Sequence, residues 1–139
     1  MTQTEIEEFL QAPRHAILGT NRPNGPPQIT PVWYLYENNQ IYVYVGTKSA
    51  KYKNLRRDPQ MSVCIAGESP DARAVMFRGT VELLFEDTTP WVSEIVWRIV
   101  RRYSDSDDAA QQYIDSWDAD EKSALLVLSS EGMLTHNFN

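Results

Sequence analysis

The spacing of apolar residues changes period several times along the chain, and each change marks an element. Residues 4–10 place Ile6, Phe9 and Leu10 on one helical face, and Thr4 stands three residues before Glu7, the pattern of a capping box. Pro13 ends that helix. Strand-like segments follow at residues 15–20, 28–36 and 41–47, rich in Tyr, Val and Ile. Asn24-Gly25 is a hairpin turn signal between the first two, and residues 37–40 form the next turn. The period then becomes helical: Ser49 caps a short helix over residues 50–57, which Asp58-Pro59 stops. Residues 61–66 and 74–85 return to strand, parted by a turn-rich stretch at 67–71. Thr89 and Pro90 signal a helix start, and Trp91, Val92, Ile95, Ile99, Val100 and Tyr103 give that helix one apolar face. An acidic link at 104–108, a helical stretch at 109–117 and a final strand at 124–128 complete the pattern.

Connections this short join strands antiparallel. About six strands with few helices predict a mainly β fold, a small closed or half-closed barrel with flanking helices rather than a parallel α/β sheet. The length of 139 residues predicts one domain over residues 1–139, and 42% hydrophobic with 11% aromatic residues is ample for its core. A net charge of −6 argues against coating nucleic acid or an anionic membrane. Cys64 is the sole cysteine, which excludes an intrachain disulfide and a paired-cysteine zinc or redox site. The apolar runs are strand-sized, and the first ten residues mix acids with isolated apolar positions. The expectation is a soluble, cytoplasmic protein without a membrane span.

Charge changes the picture at residues 46–57, where Lys48, Lys51, Lys53, Arg56 and Arg57 gather in an otherwise acidic chain. They sit where a strand feeds a capped helix, whose first turn leaves backbone N–H groups unpaired beside a partial positive charge. With the hydroxyls of Thr47 and Ser49, this is a cradle for a phosphate dianion. A Walker loop is excluded, since its glycines and Gly-Lys-Ser/Thr order are missing. A plain solvated basic helix is the competing reading.

The run Ser49-Ala50-Lys51, then Leu55, then Asp58-Pro59 before a strand resembles the pyridoxamine 5'-phosphate oxidase-like, flavin-binding split β-barrel superfamily. Residues 54–59 are similar to its branch of small deazaflavin- or FMN-dependent oxidoreductases. Pro27-Gln28, Pro31-Val32-Trp33-Tyr34 and Gly79 match in order, so the likeness covers roughly residues 15–85. It implies a six-stranded antiparallel split barrel that is homodimeric, with two cofactor sites at the subunit interface. It also implies that Lys51, helped by Ser49, holds the phosphate of FMN or the deazaflavin coenzyme F-420. Gln28, Thr30, Pro31, Val32 and Trp33 would line the ring or ribityl chain from one strand, and Tyr44, Val45 and Thr47 from the next. Three departures argue against vitamin B6 oxidation: Ala50 and Ile29 stand where those oxidases carry Arg, and Leu134 replaces the Arg of their Arg-x-His.

The resemblance implies an oxidoreductase passing hydride to a small organic substrate, with a non-catalytic flavin or haem carrier as the alternative. No side chain is assigned as catalytic, because in such chemistry the reactivity resides in the cofactor. His15 and His136 lack acidic partners at metal spacing, so no metal site is expected. Trp33 is read either as a ring neighbour of the cofactor or as core. Cys64 is expected in the core, and the acids between Asp105 and Glu121 as a solvated face.

Overall fold

The computed structural model describes residues 1–139. Nine strands fall into two antiparallel sheets. They are β1 (Ala16–Thr20), β2 (Gln28–Val32), β3 (Tyr34–Glu37), β4 (Gln40–Gly46), β5 (Gln60–Ala66), β6 (Arg73–Thr80), β7 (Glu82–Leu84), β8 (Ser123–Ser129) and β9 (Leu134–Asn137). The five-stranded sheet runs β2-β1-β5-β6-β9 and the four-stranded sheet β3-β4-β8-β7. The chain passes between sheets at Trp33 and at Val81. Each of the two longest expected strands therefore appears as two segments, one in each sheet, and β9 is a strand the sequence did not announce. Six expected strands thus become nine by bending at two points and by one addition.

The inner faces of the two sheets meet in the main core. Ala16, Leu18, Val63, Val75 and Phe77 come from one side, and Tyr34, Tyr36, Ile41, Val43, Val45, Ala124, Leu126 and Leu128 from the other. The four-stranded sheet is covered on its second face as well. There Leu35, Tyr42, Leu125 and Val127 pack under Val92, Val96 and Ile99 of α3 (Val92–Arg102). Burial on both faces is why β4 and β8 read as continuous apolar runs, with no period-2 alternation. The five-stranded sheet alternates instead, with its outer positions open to solvent.

The helices answer to local chemistry. α1 (Gln3–Gln11) starts one capping box earlier than expected, with Thr2 and Glu5 in the reciprocal roles assigned to Thr4 and Glu7. Ile6, Phe9 and Leu10 are buried as the spacing predicts. In α3, Val96 joins the apolar face while Trp91 lies outside it, 46% exposed. α2 (Ala50–Arg57) follows Ser49 as predicted, and α4 spans Asp107–Asp115 behind a Ser106 cap. No helix is long and apolar enough to cross a membrane.

Candidate functional site

The β4–α2 junction is a strand-to-helix turn held by its own polar groups. The Ser49 hydroxyl donates to Gly46 O at 2.7 Å and accepts the Tyr52 N–H at 3.3 Å. Its hydrogen-bonding capacity is therefore directed into the cap, and the hydroxyl proton is not free for a ligand. The Lys53 N–H bonds Ser49 O, whereas the N–H groups of Ala50 and Lys51 have no acceptor in the protein. Thr47 lies in the same turn, its N–H donated to Lys122 O at 2.9 Å.

The basic side chains divide into two groups. Lys48 Nζ pairs with Asp118 at 2.9 Å, and Arg57 reaches Asn54 Oδ1 and Asn21 O. Lys51, Lys53 and Arg56 form no ion pair within the chain. The acids at 118–121 are not a bare solvated face: besides Asp118, Glu121 accepts the Lys48 N–H at 2.7 Å. The hydrogen bond from Lys48 holds the Asp118 carboxyl below its ordinary value.

Two hollows flank the first turn of α2. One, of about 330 Å³, is lined by Pro31, Val32, Trp33, Tyr44, Val45, Gly46 and Lys51, with His15 and Tyr113. The other, of about 380 Å³, gathers Gln28, Ala50 and Asn54 with the turn residues Arg22, Pro23, Pro26 and Pro27. Six of the ten expected cofactor residues thus meet in one hollow and Gln28 lies in its neighbour. Thr30, Thr47 and Ser49 line neither. Thr30 lies between Gln28 and Val32 on the same side of β2, opposite Leu18 of β1. Buried Asn54 joins helix to sheet, donating from Nδ2 to Thr20 Oγ1 at 3.2 Å and Gln28 Oε1 at 3.0 Å.

Aromatic rings wall the hollow that contains Lys51. Trp33 stacks flat on Tyr103, with centroids 4.7 Å apart and planes 3° apart, and meets Tyr113 at 5.2 Å. One face of the indole is therefore covered by protein, so Trp33 is both core residue and hollow lining. Tyr44 packs on Trp117 at 5.1 Å, and Trp117 meets Tyr113 edge-on at 5.8 Å. Burial pushes the Tyr44 phenol above its ordinary value of 10, so it remains a neutral hydroxyl at any physiological pH.

Sequence reasoning left out His15, Asn54, Tyr113 and Trp117. The signals for the last three were a polar residue facing inward in a short helix and two aromatics four residues apart. Cys64 is also placed differently from expectation: it is half-buried on the outer face of the five-stranded sheet, where burial pushes its thiol up. No group of three or more His, Cys, Asp or Glu side chains is arranged to hold a metal ion.

The family model of pyridoxamine 5'-phosphate oxidase matches residues 2–136, nearly the whole chain. The chain belongs to the pyridoxamine 5'-phosphate oxidase family. Among solved structures, this family member is similar to the conserved hypothetical protein Rv2991 of Mycobacterium tuberculosis, at 23% identity and TM-score 0.79. That match covers 99% of this chain and 85% of the other. It is also similar to an F-420 reductase, at 21% identity and TM-score 0.66 over 92% and 94% of the two chains. The haem storage protein HutZ of Vibrio cholerae matches at 17% identity and TM-score 0.70, over 95% and 92%. At these identities the likeness is one of fold. It matches the pyridoxamine 5'-phosphate oxidase family in its mainly β build, with helices flanking two antiparallel sheets.

Proposed function

We propose that this single-domain chain is an oxidoreductase that holds a phosphorylated flavin-type cofactor, FMN or the deazaflavin coenzyme F-420, against α2 and β2. The observation that carries the reading is the first turn of α2. The free N–H groups of Ala50 and Lys51 and the unpaired Lys51 ammonium stand together there, between two adjoining hollows. A phosphate placed at that turn is met by backbone dipoles and one mobile cation. The ring and its side chain would then follow the inner side of β2, past Gln28, Thr30 and Val32, toward Trp33, Tyr44 and Val45. When bound, such a cofactor supplies the hydride chemistry. The protein's part is to orient it, keep water from the aromatic end and offer the neutral Tyr44 hydroxyl as a hydrogen-bond donor. Lys53 and Arg56, exposed and unpaired one and two turns along the same helix, suit the acidic tail of a deazaflavin, whereas FMN would leave them in solvent.

The same reading takes the protein as a homodimer. On the outer face of the five-stranded sheet Pro31, Ile17, Cys64, Met76 and Leu134 lie in one cross-strand register, an apolar row with Pro31, Ile17 and Leu134 exposed and Cys64 and Met76 half-buried. A second copy seated there would cover it and bring Pro31 of β2, a hollow-lining residue, to the interface.

A second reading, a flavin or haem carrier without turnover, is favoured by one observation: exposed His15 lines the hollow beside Trp33 and Tyr44, where an imidazole can reach a ligand. Fluorescence titration of the purified protein with FMN and, separately, with F-420 tests both readings. Saturable binding of one, followed by reduction of a substrate panel, supports the oxidoreductase. Binding without turnover supports the carrier. Failure of both cofactors to bind overturns the flavin-type reading and leaves haem, followed at its Soret band, as the test of His15.

A further inference from the structure

A larger cavity lies on the far side of the aromatic wall, between α3, α4 and the β7–β8 end of the four-stranded sheet. Its volume is about 630 Å³, within the range of small-molecule sites and far beyond a packing defect. Phe85, Val92, Val96, Ile114 and Trp117 make its apolar wall. Val92 and Val96 are buried core residues of α3, so this wall is part of the packed protein. None of the residues expected to hold the cofactor lines it.

Its charge is one-sided. Glu86, Asp87 and Glu121 stand among the lining residues against a single cation, Lys122. Lys122 is already directed to Asp87, with Nζ 3.5 Å from Oδ2. Glu121 engages the Lys48 N–H through Oε2 and leaves Oε1 without a protein partner, and Glu86 forms no ion pair. An anion entering here meets uncompensated carboxylates. A cation with an apolar body instead meets carboxylates at the rim and the indole of Trp117 and ring of Phe85 within, both of which attract positive charge.

We propose that this cavity is a second small-molecule site, selective for an organic cation with an apolar body, such as an arylalkyl ammonium compound. Trp117 joins it to the first site, because its ring also packs on Tyr44. An occupant of the cavity is therefore sensed one ring away from the hollow that contains Lys51.

Three probes with a common phenylalkyl body and similar length test the assignment on the unmodified protein: 4-phenylbutylammonium, 4-phenylbutanol and 4-phenylbutyrate, followed by methyl NMR. The expected result is saturable shifts at the methyl groups of Val92, Val96 and Ile114, with the ammonium binding about tenfold more tightly than the alcohol and the carboxylate weakest. The double variant Glu86→Gln, Glu121→Gln should bring the ammonium to the affinity of the alcohol while the alcohol's own affinity holds. Equal binding of ammonium and carboxylate overturns the proposal, as do shifts confined to other methyl groups or no saturation at millimolar probe. The probes need no cofactor, so these outcomes are independent of whether FMN or F-420 binds.

Discussion

The carboxylate of Glu121 fills the space that a side chain on Gly46 would need. A Cβ built on Gly46 would stand 2.4 Å from Glu121 Oε2, the same oxygen that accepts the Lys48 N–H at 2.7 Å. The acidic segment after α4 is thus seated on the turn that leads into the basic helix, and glycine at position 46 permits the approach. Gly46→Ala should displace a flexible carboxylate without moving backbone. Its cost is then the lost hydrogen bond, about 1 kcal/mol in urea denaturation. Glu121→Gln should remove a negative charge beside the turn and tighten FMN or F-420 binding about two- to fivefold at low salt, the scale of an exposed charge pair. Unchanged or weaker cofactor binding by Glu121→Gln would separate this contact from the phosphate cradle.

Lys51 and Lys48 differ in what they already hold, and this sets opposite expectations for two neighbouring lysines. Lys51 has no protein partner and lines the hollow, whereas Lys48 is directed to Asp118. Lys51→Ala should weaken cofactor binding by about 1.5–3 kcal/mol, the value of a charged hydrogen bond. Lys48→Ala should cost less than about 1 kcal/mol. Fluorescence-derived Kd values for the two variants check the contrast, and equal losses would make the cradle a diffuse field with no specific role for Lys51.

Asn54 is the polar joint of the site. Buried among Thr20, Gln28 and Arg57, it ties α2 to both β1 and β2. Asn54→Leu should leave Thr20 and Gln28 without their donor and destabilise the fold by about 2–3 kcal/mol. It should also weaken cofactor binding, because Gln28 loses the contact that positions it. A midpoint within error of the parent in urea would show that the asparagine is dispensable to the junction.

How much of this was legible in the sequence depends on the range of the forces involved. The turn and helix from Ser49 to Arg57 appear where expected, because capping is a contact between residues a few positions apart. Thr2–Glu5 and Thr4–Glu7 carry the same local signal. The helix takes the earlier one, which adds hydrogen bonds without moving Ile6, Phe9 or Leu10 off its buried face. The passage between sheets at Trp33 left no mark, since apolar residues continue on both sides of it, and at Val81 the polar neighbours Thr80 and Glu82 read as the outward positions of one alternating strand. Leu134–Asn137 has almost no apolar pattern and pairs through its backbone with β6. Lys51 stood out in the basic run at the helix start, whereas Trp33 and Tyr44 were placed in the site through likeness to a family. Tyr113 of α4 and Trp117, two residues beyond its end, reach the same place by contacts across more than half the chain that no local pattern records.

The apolar row on the five-stranded sheet gives the proposed dimer a sharp test. Ile17 stands second in it, opposite Pro31 on one side and Cys64 on the other, and is 40% exposed in the monomer. Ile17→Glu should change monomer stability by less than about 0.5 kcal/mol. It should nevertheless halve the mass measured by light scattering at micromolar concentration, because a carboxylate desolvated within that interface has no partner. An unchanged dimeric mass would move the interface elsewhere.

Tyr34 sets an alkaline limit on the fold. Its ring is fully buried in the main core, and its hydroxyl lies 3.0 Å from both Leu10 O and Ala12 O, to which it donates at the C-terminal end of α1. Burial pushes its phenol from 10 up to about 12. Because the folded value is raised, the neutral phenol's contribution is fully present below pH 10 and is lost as pH rises through about 12. A shift of that size corresponds to about 2.7 kcal/mol, at 1.36 kcal/mol per unit. Tyr44 and Tyr103 are raised by burial too and contribute in the same direction. Tyr34→Phe should cost about 1 kcal/mol at pH 7 through the lost hydrogen bonds, yet lose less further stability than the parent between pH 10 and 12. Urea denaturation at pH 7, 10 and 11.5 checks the crossover, and parallel curves for the two proteins would mean that Tyr34 does not titrate with unfolding.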